Sequence, residues 1–176
     1  MRKSIPETWS DLQERGIPMP FDSNGNPFVP IKMPRFDDEE LGFQFFKEFA
    51  EHLNLDNLSL PKTYVGRSEL KLITFINTDL SSSSMCWNDF IACDFSDADL
   101  SNSDLRFAIF AGCKFDGAHL SGTDLRGSTF VTCSFGGATM NNATVETDNA
   151  LRADLSEDQI KAITWAPDAG PEPDGG

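Results

Sequence analysis

From Leu70 onward a large apolar residue recurs at every fifth position: Leu70, Phe75, Leu80, Met85, Phe90, Phe95, Leu100, Leu105, Phe110, Phe115, Leu120, Leu125, Phe130, Phe135, Met140 and Val145. Two places before nearly every one stands a small residue, such as Thr78, Cys93, Ala98 or Ser128; Asn88 is slightly larger and Ile73 breaks the rule. Neither common element tolerates this spacing. A helix turns about 100° per residue, so successive apolar residues would be offset by about 140° and scatter around its circumference. A strand alternates faces with period two, so an odd spacing would send every second one into water. The chain must therefore turn a corner every five residues, returning each central side chain to the inside.

A longer period counts the corners. From residue 90 the central positions read Phe-Phe-Leu-Leu, then Phe-Phe-Leu-Leu again, then Phe-Phe-Met-Val, while cysteine recurs at Cys93, Cys113 and Cys133. Both patterns repeat after four units, as in a four-sided coil whose equivalent residues stack about 4.8 Å apart. About four such coils fill residues 66–147, a rod of roughly 19 Å at that spacing.

The segments ADLSN (98–102), SDLRF (103–107), AHLSG (118–122) and TDLRG (123–127), with the variants CDFSD (93–97) and CKFDG (113–117), carry a resemblance to the pentapeptide-repeat family and its A(D/N)LxX motif. The resemblance implies an all-β solenoid, a right-handed quadrilateral β-helix; the handedness comes from the family and not from the spacing. It covers about half of the chain.

The flanks read as caps, which a solenoid needs over its apolar ends. Residues 1–36 form an irregular arm with one short helix near Glu7–Arg15. Residues 37–65 form a helical N-terminal cap, with Asp37, Asp38, Glu39 and Glu40 opening a helix that runs to about Leu53. Its apolar residues Leu41, Phe43, Phe45, Phe46, Phe49 and Leu53 are too many for one narrow stripe, which predicts burial on more than one side. Residues 148–165 make a C-terminal cap: Ala153-Asp154-Leu155 is one more repeat-like unit, and Ser156 N-caps a short closing helix. Residues 166–176 are a disordered tail.

Composition narrows the function. There are 28 acidic against 14 basic residues, a formal net charge of −14. That sign disfavours nucleic acid and anionic membranes and favours basic protein partners. No apolar run reads as a signal peptide or membrane span, so the expectation is a cytoplasmic protein. The four cysteines have no paired CxxC spacing, so neither zinc nor a disulfide framework is expected. Cys93, Cys113 and Cys133 read as small interior hydrophobes, and Cys86 as an unpaired surface thiol. His52 and His119 have no nucleophile or carboxylate at a catalytic spacing, and no phosphate loop, HExxH or GxSxG occurs. No enzyme, no cofactor and no metal are expected.

The outward positions are then the chemistry that remains. Asp94, Asp97 and Asp116 belong to the face centred on Phe95 and Phe115, and Asp79 and Asp99 to the next face, forming a carboxylate surface able to meet a basic partner. The face centred on Phe90 and Phe110 carries Ile91, Ile109, Ala111 and Val131, with Trp87 and Phe107 at the corner before it. So many water-facing apolar side chains call for a covering surface: the N-terminal arm, a partner, or a second copy. A monomer is favoured. Arg106 and Arg126 stack near Asp104 and Asp124 as surface ion pairs.

The family resemblance implies a choice of roles. Long acidic members imitate DNA toward type II topoisomerases. B-DNA carries one charge per about 1.7 Å, so a rod of about 19 Å would need about 11. Residues 68–147 hold ten acids and four bases, about half of that. Small members with a non-repeat N-terminal extension resemble immunity proteins that neutralise a cognate bacterial toxin, and an acidic one suits a basic nuclease. A general scaffold or adaptor is the third reading.

Overall fold

The computed structural model describes residues 1–16, 44–46, 49–147 and 154–167. Helix α1 (Ile5–Glu14) comes first, followed by strands β1 (Gln44–Phe46), β2 (Phe49–Glu51), β3 (Tyr64–Gly66), β4 (Glu69–Lys71), β5 (Asp89–Ile91), β6 (Ile109–Ala111), β7 (Thr129–Val131) and β8 (Thr144–Glu146), then helix α2 (Glu157–Ala162) and strand β9 (Thr164–Ala166). Every pairing is parallel with a register of twenty residues, so the chain is a four-sided parallel β-solenoid. One face is a five-stranded sheet in the order β2-β4-β5-β6-β7. Of the other faces, one carries the two-stranded sheets β1-β3 and β8-β9 at its ends, and the rest of the ladder consists of single bridges, such as Asp79↔Asp99↔His119↔Thr139.

The corners have a uniform backbone cause. Every fifth residue from His52 to Asn142 adopts φ between +51 and +71. A single left-handed residue bends the extended backbone sharply, and it is costly for any residue with a Cβ, by roughly 1–2 kcal/mol. Asparagine, aspartate and glycine fill many of these places (Asn57, Asn77, Asp97, Asn102, Gly117, Gly122), as that cost dictates.

Inside, equivalent residues stack. Phe75, Phe95, Phe115 and Phe135 form one column with centroids 4.9–5.1 Å apart, and Phe90, Phe110 and Phe130 a second with spacings of 5.0 and 5.1 Å. The two columns meet edge to face, for example Phe110 with Phe115 at 76°. The small residues do more than make room. Thr78, Asn88, Cys93, Ser103, Cys113, Thr123, Ser128 and Cys133 each donate to the carbonyl of the residue 23 positions earlier, tying each coil to the one before. Asn88 is tolerated because it does the same work with more atoms: its Nδ2 donates to Val65 O and Met85 O, and its Oδ1 accepts from Ser68 N.

Two expectations need correction. The helix expected to run to Leu53 is replaced, over its described part, by β1 and β2, which pair with β3 and β4; residues 37–43 lie outside the described residues. The coil count is also higher than four. The column Gln44, Tyr64, Ser84, Asp104, Asp124, Thr144, Thr164 has rungs for about six turns. The period of five in fact begins at Phe45 and Ala50 and passes through Leu55, Leu60 and Val65, but Leu53 and Leu58 occupy places where small residues are the rule, which hides it.

Both ends are closed by hydrogen bonds aimed at the open rungs, as exposed ladder edges require. Around α1, Lys3 N donates to Asn57 O at 2.7 Å and Ser59 N to Thr8 Oγ1 at 2.8 Å, while Leu12 is fully buried. At the other end Ser156 N-caps α2, with Gln159 N donating to its Oγ at 3.3 Å, as expected. The Gln159 Nε2 donates to Phe135 O and Ala138 O at 2.8 and 2.9 Å, standing in for backbone of a further coil. The series of apolar places continues through this cap as Leu155, Ile160 and Trp165, with Trp165 in register beneath Val145.

Candidate interaction surface

The five-stranded sheet presents its alternate side chains to solvent. Among the described residues, the exposed large apolar side chains outside the N-terminal segment are Phe49, Leu72, Trp87, Ile109 and Val131, and all five lie on this sheet or at its corners. Ile91 and Phe107 are half-buried beside them. The register places Lys71, Ile91, Ala111 and Val131 in one column and Phe49, Glu69, Asp89, Ile109 and Thr129 in the other. Ile91, Ile109, Val131, Trp87 and Phe107 are thus brought together on one surface. Phe49 and Leu72 escaped the sequence reading. Leu72 could have been found, because it follows a central leucine by two places and so occupies a corner like Trp87.

Trp87 and Phe107 both adopt positive φ, at +60 and +56. Their rings stack with centroids 4.5 Å apart and planes at 18°. Bulky residues seldom take this conformation, and Trp87 is 50% exposed. Residues of the arm that would settle whether this chain covers the strip lie outside the described residues.

The carboxylates form a second surface around two corners. Asp94 and Asp116 are on one face, Asp79 and Asp99 are bridged neighbours on the next, and Asp97 is the exposed corner between them. Most are locally bonded. Asp79 and Asp99 each accept from the backbone and hydroxyl of the serine two places on, and Asp116 accepts from Gly136 N at 2.7 Å and Ser134 Oγ at 2.8 Å. Asp94 accepts from Ser96 and pairs with Lys114 at 3.3 Å. Burial works to raise the Asp94 pKa, but Ser96 and Lys114 together hold it below the usual carboxylate value.

On the face opposite in sense, Arg106 is bidentate on Asp104 and Arg126 on Asp124. Asp104 raises the Arg106 pKa further, keeping that guanidinium charged. All four cysteines are free. Cys86 is half-buried rather than on the surface, and burial pushes its thiol up. In the interior column the neighbouring sulfurs of Cys133 and Cys93, together with burial, push the Cys113 thiol up. Exposed His119 meets the Thr139 hydroxyl at 3.2 Å. Among the described residues no cluster of His, Cys, Asp and Glu has metal-binding geometry, and no helix is long and apolar enough to cross a membrane.

Residues 68–106 and 108–145 match the model of pentapeptide repeats in eight copies. Over those residues the solenoid is built of pentapeptide repeats. Structural relatives include HetL, a pentapeptide repeat protein involved in heterocyst differentiation regulation from the cyanobacterium Nostoc sp. strain PCC 7120, at 19% identity and a TM-score of 0.42, covering 60% of this chain and 48% of HetL. Trypsin-treated QnrB1, a plasmid-mediated fluoroquinolone resistance protein, is 22% identical with a TM-score of 0.43, covering 56% of this chain and 54% of its own. A pentapeptide repeat protein of the Arabidopsis thaliana thylakoid lumen is 22% identical with a TM-score of 0.35, covering 67% and 81%. The chain spans about half the length of HetL and QnrB1. No curated protein matches the sequence. The pentapeptide-repeat ladder extends beyond the matched span, since its first paired strand begins at Gln44.

Proposed function

We propose that this chain is a non-catalytic protein-binding module, and that it serves as a cytoplasmic immunity protein neutralising a cognate basic toxin such as a nuclease. The observation that carries this reading is the gathering of Phe49, Leu72, Trp87, Ile109 and Val131 on one rigid face. Aromatic and aliphatic anchors on a preformed surface are the composition of an interface hot spot. The net charge of −14 adds faster capture of a basic partner. Among the described residues, the cavity lined by Leu55, Leu60, Thr63, Val65, Leu70, Phe75, Leu80, Met85 and Phe90 has an apolar lining and no titratable group. Inhibition would be stoichiometric, by covering or distorting the toxin's active site.

Imitation of a DNA duplex is less well supported. Residues 49–147 hold twelve acidic and six basic side chains. A duplex of the same length, roughly 25 Å at about 4.8 Å per coil, would carry about 15 uncompensated charges. Several of the acids are moreover paired with Lys114, Arg106 and Arg126.

The test is co-expression with the product of the neighbouring reading frame. The expected result is a 1:1 complex in which toxin activity is lost, weakened by charge reversal at Asp94, Asp97 and Asp99 or by Ile109→Asp. A toxin next door that is neither bound nor inhibited would end this reading.

A further inference from the structure

The five-stranded face is uneven along the solenoid axis. The outward residues of β2, β4 and β5 include Glu51, Glu69, Lys71 and Asp89, a net negative end. Those of β6 and β7 are Ile109, Ala111, Thr129 and Val131, with no charge. Within the uncharged half the surface is also notched. Ala111 lies between Ile91 and Val131 in its column, and the adjoining corner carries Ala92 and Gly112, where a β-carbon on Gly112 would sit 4.0 Å from the Ala92 Cα. Short side chains thus form the floor, and Leu72, Ile91, Ile109 and Val131 stand around it.

We propose that this face receives an amphipathic helix of a partner protein laid along the solenoid axis, with an apolar side chain in the Ala111–Gly112 notch and basic residues at the end over Glu51, Glu69 and Asp89. The inference rests on the protein-binding reading above and adds the kind of partner element and its direction. The backbone argument favours a helix. The ladder hydrogen bonds of this sheet run between coils, so none is offered from its face to a docked strand. An extended segment laid flat on apolar side chains would leave its own N–H and C=O groups unpaired against them, whereas a helix bonds its own. Length agrees: four spacings of about 4.8 Å from β2 to β7 make roughly 19 Å, or about 13 helical residues. Charge selects the partner. The face is net negative only at one end, and a second copy of a chain carrying −14 would meet its own repulsion there.

The probe is a fluorescent stapled helical peptide with leucines at i, i+3, i+4 and i+7 and lysines at one end. A peptide with glutamates replacing the lysines serves as control, and both are titrated against the full chain by anisotropy. The lysine peptide should bind and the glutamate peptide should not. Ile109→Asp and Ala111→Arg should each weaken binding about tenfold or more. Glu69→Lys combined with Asp89→Lys should weaken it about fivefold and flatten its salt dependence. All of these sites are outward, so circular dichroism and Tm should stay near wild type. Equal binding of the two peptides, absence of binding, or indifference to Ile109→Asp would overturn the proposal. So would sedimentation showing a homodimer that Ile109→Asp dissolves. Loss of toxin neutralisation is a separate readout: the peptide result stands or falls without it.

Discussion

The Phe107 ring lies across Gly127, its Cδ1 and Cε1 only 2.3 and 2.5 Å from where a β-carbon on that glycine would be. Gly127 itself has φ +71 and occupies the coil after Phe107 in the corner column that begins with Arg67 and Trp87. Gly127→Ala should therefore act twice, through left-handed strain of about 1–2 kcal/mol and by pushing the Phe107 ring off its stack with Trp87. Thermal unfolding would measure the first effect and near-ultraviolet circular dichroism the second. Adding Phe107→Ala should recover the steric part of the loss and leave the backbone part, a non-additivity that a double-mutant cycle reads directly.

The stacked phenylalanines are the main internal support. Phe110 is fully buried between Phe90 and Phe130 and edge-on to Phe95 and Phe115. Phe110→Ala should cost about 3–5 kcal/mol by lost burial and an unfilled cavity. A urea titration should give a lowered midpoint, and a change below about 1 kcal/mol would contradict the packing described.

Gln159 joins the closing cap to the last coil through its bonds to Phe135 O and Ala138 O. Gln159→Ala should cost about 1–2 kcal/mol. In a solenoid each coil touches only its neighbours, so the damage should stay local. Hydrogen exchange should rise across residues 134–146 and remain at wild-type rates around β4 and β5.

Acid should destabilise the fold through identified carboxylates. Burial tends to raise the Asp124 pKa, but Arg126 and Arg106 overcome it and hold the group below its usual value; Asp94 is lowered in the same direction by Ser96 and Lys114. A depressed native pKa contributes stability that is present above the unfolded value of about 3.9 and is lost as pH falls through the lower native one. The urea midpoint should therefore drop between about pH 5 and pH 2.5. Asp124→Asn and Asp94→Asn should each lower stability at pH 7 and shrink that drop.

The period of five and the repeat of twenty were enough to place sixteen interior side chains, and both phenylalanine columns lie where those periods put them. Trp87, Phe107, Ile91, Ile109 and Val131 could be assigned to one outer strip for the same reason. The closing helix was legible from Ser156, which in the structure forms a local capping box with Gln159. The first coils were not. LGFQFFKEFAEHL (41–53) has the apolar density of a buried helix, and Leu53 and Leu58 stand where small residues mark the other coils.

A solenoid interior is specified by residues that repeat, so side-chain size and spacing alone dictate how the coils stack and which atoms face out. Local pattern could not choose between helix and strand for residues 44–46 and 49–51, because that choice depends on a partner twenty residues away: β3 and β4 offer an open parallel ladder, and pairing with it satisfies the backbone groups of β1 and β2. The same holds for the carboxylates. Their positions on the outer faces follow from counting, but whether each meets a lysine, a serine or a backbone N–H depends on the neighbouring coils, and only the assembled stack supplies those partners.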